Sequence, residues 1–344
     1  MDNSTSKSIF DLIRTLAILN EMNKYVYILL YIFGVCGASL NIATFLQKQL
    51  RNKPCGVYFL ATSIVDLSTI NIFILIETIA AFNPSLGDEI LLSRIWCKLG
   101  NFIRFISPCL SSTYLTLISI DRFCMSSLKQ TLRKWSQLRI SRIVVVSCFL
   151  IWALLALHYP IAYDVRQNPS TMQNQCQVIL GSSTIFFIID GLIFSLFNGA
   201  ITPLVLATFS LLILFNMKRS RNRVNQQINN GTNRIRLGTT VPTNETVSVH
   251  SRHNFHMFRM VLVQITLTSI LHIPFLIIYI YTYLNPVLTD LFVIQVYFIS
   301  AYIARWLYFA NYCKTFYVNT LTSQLFRNSL YQQCLNLLSQ RHRF

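Results

Sequence analysis

The chain has 344 residues, 53% of them apolar and 12% charged, with a mean hydropathy of +0.48. Soluble domains carry about 25% charged residues, so the composition excludes an ordinary soluble protein and makes domain counting by length inapplicable. The net charge of +17 does not point to nucleic acid, because the basic residues sit in a few short loops between apolar runs, which is a membrane-topology pattern.

Residues 1–24 are polar and lack the apolar core of a cleavable signal peptide, so they read as a tail. The first apolar run, 25–47, then serves as an uncleaved anchor; it carries Asn41, and Lys48, Arg51 and Lys53 follow it. The second, 57–82, contains Asp66 and Glu77. The third, 94–126, opens on Trp96-Cys97 and closes on Ser119-Ile-Asp-Arg-Phe123. From Cys97 to Arg122 a helix would measure roughly 37 Å, enough to cross a bilayer with some tilt. The fourth run is 139–163, with Trp152 and Pro160; the fifth is 182–217, with Asp190 and Pro203. The sixth, 255–284, holds His272 and Pro274, and the seventh, 287–316, holds Arg305 and Asn311. In the remaining stretch, 317–344, residues 321–338 read as an amphipathic helix too polar to span, lying along the lipid interface. The predicted fold class is an all-α membrane protein, a seven-transmembrane helix bundle with a short amphipathic helix after the seventh span.

Orientation follows from the loops. Those at 48–56, 127–138 and 218–254 are rich in Lys and Arg, opposed only by Glu245, whereas the others hold Asp88, Glu89, Asp164 and Asp290. The positive-inside rule therefore puts the amino terminus outside and the carboxyl terminus in the cytoplasm. Asn3-Ser-Thr is then a glycosylation sequon on the outer side; Asn230 and Asn244 also open sequons, but on the inner side, and are set aside. Of nine cysteines, Cys97 and Cys176 lie at the outer face. That compartment is oxidising, so they are the expected disulfide, tying the 164–181 loop to the top of the third helix.

Gly37-Ala-Ser-Leu-Asn41, Ala61-Thr-Ser-Ile-Val-Asp-Leu67, the Cys97/Cys176 pair and Ser119-Ile-Asp-Arg-Phe123 occur in order along the helices. Trp152, Pro203, Pro274, Asn311-Tyr-Cys313 and Phe326-Arg327 continue the series. On these residues the chain resembles the rhodopsin-like G-protein-coupled receptors over almost its whole length. The resemblance implies a cell-surface receptor, set among membrane lipids, that takes an extracellular ligand and activates a heterotrimeric G protein. It departs at Leu271-His272-Ile273-Pro274, where the family has Cys-Trp-x-Pro, and at Thr315-Phe316-Tyr317-Val318-Asn319, aligned with Asn-Pro-x-x-Tyr. Leu211 and Thr268 replace an aromatic residue each, and no acid opens the sixth helix.

The resemblance assigns coupling to Asp121, Arg122 and Phe123, with Arg122 paired to Asp121 at rest and freed when the sixth helix swings outward; the plainer reading is an arginine snorkelling to water. Asn41, Ser111 and Asn311 fall where the family gathers polar groups around Asp66. They would offer oxygens to a sodium ion, or form a water-filled network about a protonated carboxyl, and both readings stand. No other cofactor or metal is expected. Glu77, Arg104, Phe105, Asp190, His272 and Arg305 are the expected ligand-binding set. Glu77 can neutralise Arg104 or Arg305, and the other arginine can clamp an acidic group with parallel hydrogen bonds. His272 reads as a packed histidine or, less simply, as a proton sensor. Arg104 stands where amine receptors carry an aspartate, and Phe309 where opsins carry the retinal lysine. A neuropeptide-like ligand fits the aromatic and ionic rim best; a small acidic non-peptide ligand is the alternative. No metal spacing, P-loop or nucleophile elbow suggests an enzyme, and no internal repeat suggests a seven-span transporter or channel.

Overall fold

Lipid offers the backbone no hydrogen bonds, so each apolar run must satisfy its own polar groups, and a helix does this within one segment. The computed structural model describes residues 3–127, 129–167, 174–178, 193–194, 196–235, 245–284 and 290–341. Seven of its helices are long and apolar enough to cross a membrane: Ser6–Phe45, Pro54–Phe82, Trp96–Ser126, Leu138–Ala162, Leu196–Asn216, Arg259–Thr282 and Leu291–Cys313. They are called here the first to seventh spans.

The first helix starts well before its apolar run. It extends over Asn3–Phe45, 43 residues, so the sequence read as a tail continues the span as a helix, with the Asn3 sequon in its first turn. No glycine or proline interrupts the chain before Gly34, and polar side chains on the extension meet donors on the seventh span. Gln295 donates to Thr15 at 2.8 Å, Tyr302 to Asn20 at 2.7 Å and Trp306 to Asn23 at 2.7 Å.

Three spans contain a π turn, at Ile70–Ile74, Trp96–Gly100 and Leu196–Ile201. Each widened turn rotates the residues beyond it relative to a regular helix. The third and sixth spans carry Pro108 and Pro274 inside them. The seventh span stops at Cys313 and resumes as Thr315–Thr322, with Lys314 at the interruption. A further helix, Gln324–Arg341, follows where the sequence predicts an interfacial one. Phe326 anchors it: the ring is fully buried, 5.5 Å from that of Phe45 and 5.9 Å from that of Phe316.

Between the fourth and fifth spans lies a two-stranded antiparallel hairpin, β1 (Tyr163–Gln167) and β2 (Asn174–Val178), with Val165 opposite Cys176. Two links tie it to the start of the third span. Cys176 is disulfide-bonded to Cys97, as expected. Arg94 grips Asp164 with two parallel hydrogen bonds, Nε to Oδ1 at 2.9 Å and Nη2 to Oδ2 at 2.8 Å. Those bonds hold the Asp164 carboxyl below the usual carboxylate range.

A carboxyl with a lowered native pKa stabilises the fold above its unfolded value, about 3.9, and that contribution fades as pH falls through the native value. Asp164→Asn should therefore speed hydrogen exchange across the hairpin at pH 7. The difference from wild type should persist at pH 5 and shrink only below about pH 4, as read by mass spectrometry of the peptide holding 163–178.

Candidate functional site

At the disulfide end of the bundle, the third span brings Arg104 over the Phe73 ring, its guanidinium carbon 5.6 Å from the ring centre, within cation–π range. Its charge also reaches Tyr308 of the seventh span. Among the described residues it forms no ion pair. Glu77 turns instead to Arg305, Oε2 to Nη1 at 3.9 Å, with the two side chains 26% and 50% exposed. Tyr27, wholly buried, lies beside that pair. A loose, half-wet pair of this kind is worth about 0–1 kcal/mol, but it settles which arginine Glu77 serves.

Two members of the expected ligand set lie elsewhere. Phe105 is 5% exposed and packs its ring 5.3 Å from Tyr159 and 6.2 Å from Trp152, between the third and fourth spans. His272 lies deeper, in a buried polar network. Asp190 falls outside the described residues.

A ladder of rings descends from the Arg104 level. Tyr279 and Phe275 are 6.4 Å apart, Phe275 and Tyr308 4.4 Å, and Tyr308 and His272 5.4 Å. His272 Nε2 is 2.9 Å from Asn311 Nδ2. Lys314 Nζ donates to the Asn311 carbonyl oxygen at 3.0 Å and, closely, to Asn311 Oδ1. An ammonium can only donate, so Asn311 must turn its oxygen to Lys314 and its NH2 to His272. Nε2 is then an acceptor and the imidazole is neutral, which disfavours a proton-sensing role.

Asp66 is 2% exposed. It accepts from Thr315 Oγ1 at 2.9 Å and from Ser111 Oγ at 3.5 Å. Of the three residues expected around it, the structure brings Ser111 directly to Asp66, while Asn311 bonds Lys314, whose charge acts on Asp66. Asn41 belongs to a neighbouring chain of bonds: it donates to Ser63 Oγ at 2.6 Å and accepts from Asn319 at 3.1 Å. Gln264 of the sixth span completes that chain, donating to Asn319 Oδ1 at 3.1 Å and to the Thr315 carbonyl at 3.0 Å. The sequence reading passed over Lys314 and Gln264. Lys314 carried a usable signal, a cation three residues after Asn311 and hence on the same helix face.

At the opposite end, Arg122 Nη2 donates to Asp121 Oδ2 at 2.7 Å, with the two side chains 9% and 5% exposed. Ser136 donates closely to the other Asp121 oxygen. Phe123 meets Phe209 of the fifth span edge to face at 5.4 Å. Among the described residues no acid of the sixth span pairs with Arg122. Lys53, just before the second span, is held below the usual lysine range by partial burial and by the Arg122 charge.

Asn319→Leu should leave both Asn41 and Gln264 without their shared partner in a buried site. Each stranded buried polar group costs about 1–3 kcal/mol, so the thermal midpoint of the detergent-solubilised protein should fall by several degrees. Thr320→Val is the control: the Thr320 hydroxyl donates to the Phe316 carbonyl of its own helix, and the change should stay within about 0.5 kcal/mol.

The model of the family "7 transmembrane receptor (rhodopsin family)" matches residues 37–315. The human uracil nucleotide/cysteinyl leukotriene receptor is 25% identical over 158 residues, which cover 44% of this chain and 39% of that protein. The chain thus spans well under half the length of that relative. The family match takes in the Asp66 network and Arg122, and it stops at Thr315, the residue that holds the Asp66 carboxylate. The chain belongs to the rhodopsin family of seven-transmembrane receptors, signalling proteins rather than enzymes.

Proposed function

We propose that this receptor lies in the plasma membrane with its amino terminus outside, binds an extracellular ligand bearing an acidic group at Arg104, and activates a heterotrimeric G protein through its Arg122 end. The observation that carries the ligand class is the division of charges at the disulfide end. Glu77 is engaged by Arg305, whereas Arg104 rests on an aromatic face without an acid among the described residues. An arginine in that position grips a carboxylate or phosphate with two parallel bonds. The relative named for uracil nucleotides and cysteinyl leukotrienes supports an acidic ligand, since nucleotides carry phosphate. That favours a small acidic molecule over the neuropeptide-like ligand expected from the rim, while a peptide with a free carboxylate meets the same requirement.

The orientation rests on the basic loops, which face the cytoplasm in this reading and leave the Asn3 sequon outside. The mechanism rests on the ring ladder. A ligand that draws Arg104 from Phe73 and Tyr308 disturbs the stack of Tyr308 on Phe275 and His272. His272 and Phe275 flank Pro274, where the sixth span can bend. Outward movement of the sixth span takes Gln264 from Thr315 and Asn319 and opens the Arg122 end. Arg122, released from Asp121, then meets the G protein.

Two experiments test this. In the first, carboxylates, phosphates and peptides with free or amidated ends are applied to cells carrying the receptor and G-protein reporters. Arg104→Ala should cut the potency of an acidic agonist about 10- to 100-fold, the loss of one charge-assisted contact. Neutralising the ligand's acid should have no further effect on that variant. Equal losses for acidic and neutral ligands would make Arg104 structural. In the second, Arg122→Ala should abolish nucleotide exchange and spare surface expression, while Ser136→Ala, which loosens Asp121, should raise basal exchange.

A further inference from the structure

A carboxylate in mid-membrane requires a counter-charge or must be neutral. Lys314 supplies that charge from the chain itself. Its ammonium is the principal charge acting on Asp66, and it is fixed by the carbonyl and Oδ1 of Asn311. The next residue, Thr315, holds Asp66 Oδ2. We propose that the Lys314 ammonium is a tethered cation that closes the Asp66 pocket to a diffusible sodium ion and fastens the interruption of the seventh helix to the second span.

Three observations converge. First, Asn311 Oδ1 is one of the oxygens a sodium ion would need, and it already accepts from Lys314. Second, the cavity lined by Ser111, Asn311, Lys314 and Thr315 is about 20 Å³, room for about one water molecule, so a sodium ion entering it would have to leave its hydration shell behind. An entering ion would also face a fixed positive charge. Third, Lys314 sits where the seventh span stops, between Cys313 and Thr315. Phe316 stands where the family's proline would break the helix, so the break has no proline behind it. Here the ammonium bonds the Asn311 carbonyl in the last turn before the break, as basic side chains do at helix ends.

The test needs no agonist. Thermal midpoints of the purified receptor are compared in sodium chloride and in choline chloride at equal ionic strength. Wild type should show no difference. Lys314→Met keeps an unbranched side chain one heavy atom shorter and removes the charge, so Asp66 loses its counter-ion. Its midpoint should fall in choline and recover in sodium by at least about 2 °C, saturably. Lys314→Met combined with Asp66→Asn should regain stability and lose the sodium response. A sodium-selective rise in wild type would overturn the proposal, as would a Lys314→Met variant no more responsive to sodium than wild type. If Lys314→Met cannot be purified, the double variant decides: recovery of a folded receptor supports the pairing, and failure to recover refutes it.

Discussion

A buried carboxylate governs the middle of this bundle. In lipid no hydrophobic force draws helices together, so close packing and interhelical hydrogen bonds must do so. Asp66 and the chain of amides beside it run from Ser63 through Asn41, Asn319 and Gln264 to Thr315, Asp66 and Ser111. Those residues come from the first, second, third and sixth spans and from the helix that continues the seventh. At about 0.6 kcal/mol for an average bond of this kind, none is decisive alone. Their sharing of partners makes the set costly to break, because losing one amide strands two others.

Arginine appears at three levels of the bundle with three local solutions. Arg305 pairs loosely with Glu77, Arg104 rests on a ring, and Arg122 is closed against its own neighbour in sequence. The last differs from an interhelical lock. With Asp121 and Arg122 adjacent, and Ser136 supplied by the following loop, the clasp makes no demand on the sixth span. Nearest that end the sixth span is held instead by Gln264, one amide with two acceptors on the helix that follows the Lys314 break.

The spans, the disulfide and the helix after the seventh span were legible in the sequence, because hydropathy and loop charge repeat over many residues. Partner choice was not. Whether Glu77 serves Arg104 or Arg305 depends on the π turns at Ile70–Ile74 and Trp96–Gly100, which rotate both helices and leave no compositional mark. Phe105 read as a cavity residue for the same reason. Lys314 was overlooked as one more residue at the end of an apolar run, although its spacing from Asn311 put it beside the Asp66 site. The amino-terminal extension read as a tail because its composition is polar. Its helicity depends on acceptors at Thr15, Asn20 and Asn23 that meet a partner only in three dimensions.

That extension has a mechanical consequence. The first helix is joined to the seventh from Thr15 at Gln295, through Leu30 at Cys313 and Phe33 at Tyr317, down to Asn41 at Asn319. The two form a single girder, and about 30 Å of it, some 20 residues at 1.5 Å each, precedes the apolar run. A girder amplifies rotation: the Lys314 break lies level with Leu30 to Gly37, so a tilt of about 5° there would sweep the far tip of a lever of about 50 Å through about four ångströms. The top of the first helix is thus a pointer on the outside of the molecule, geared to a hinge buried in its centre.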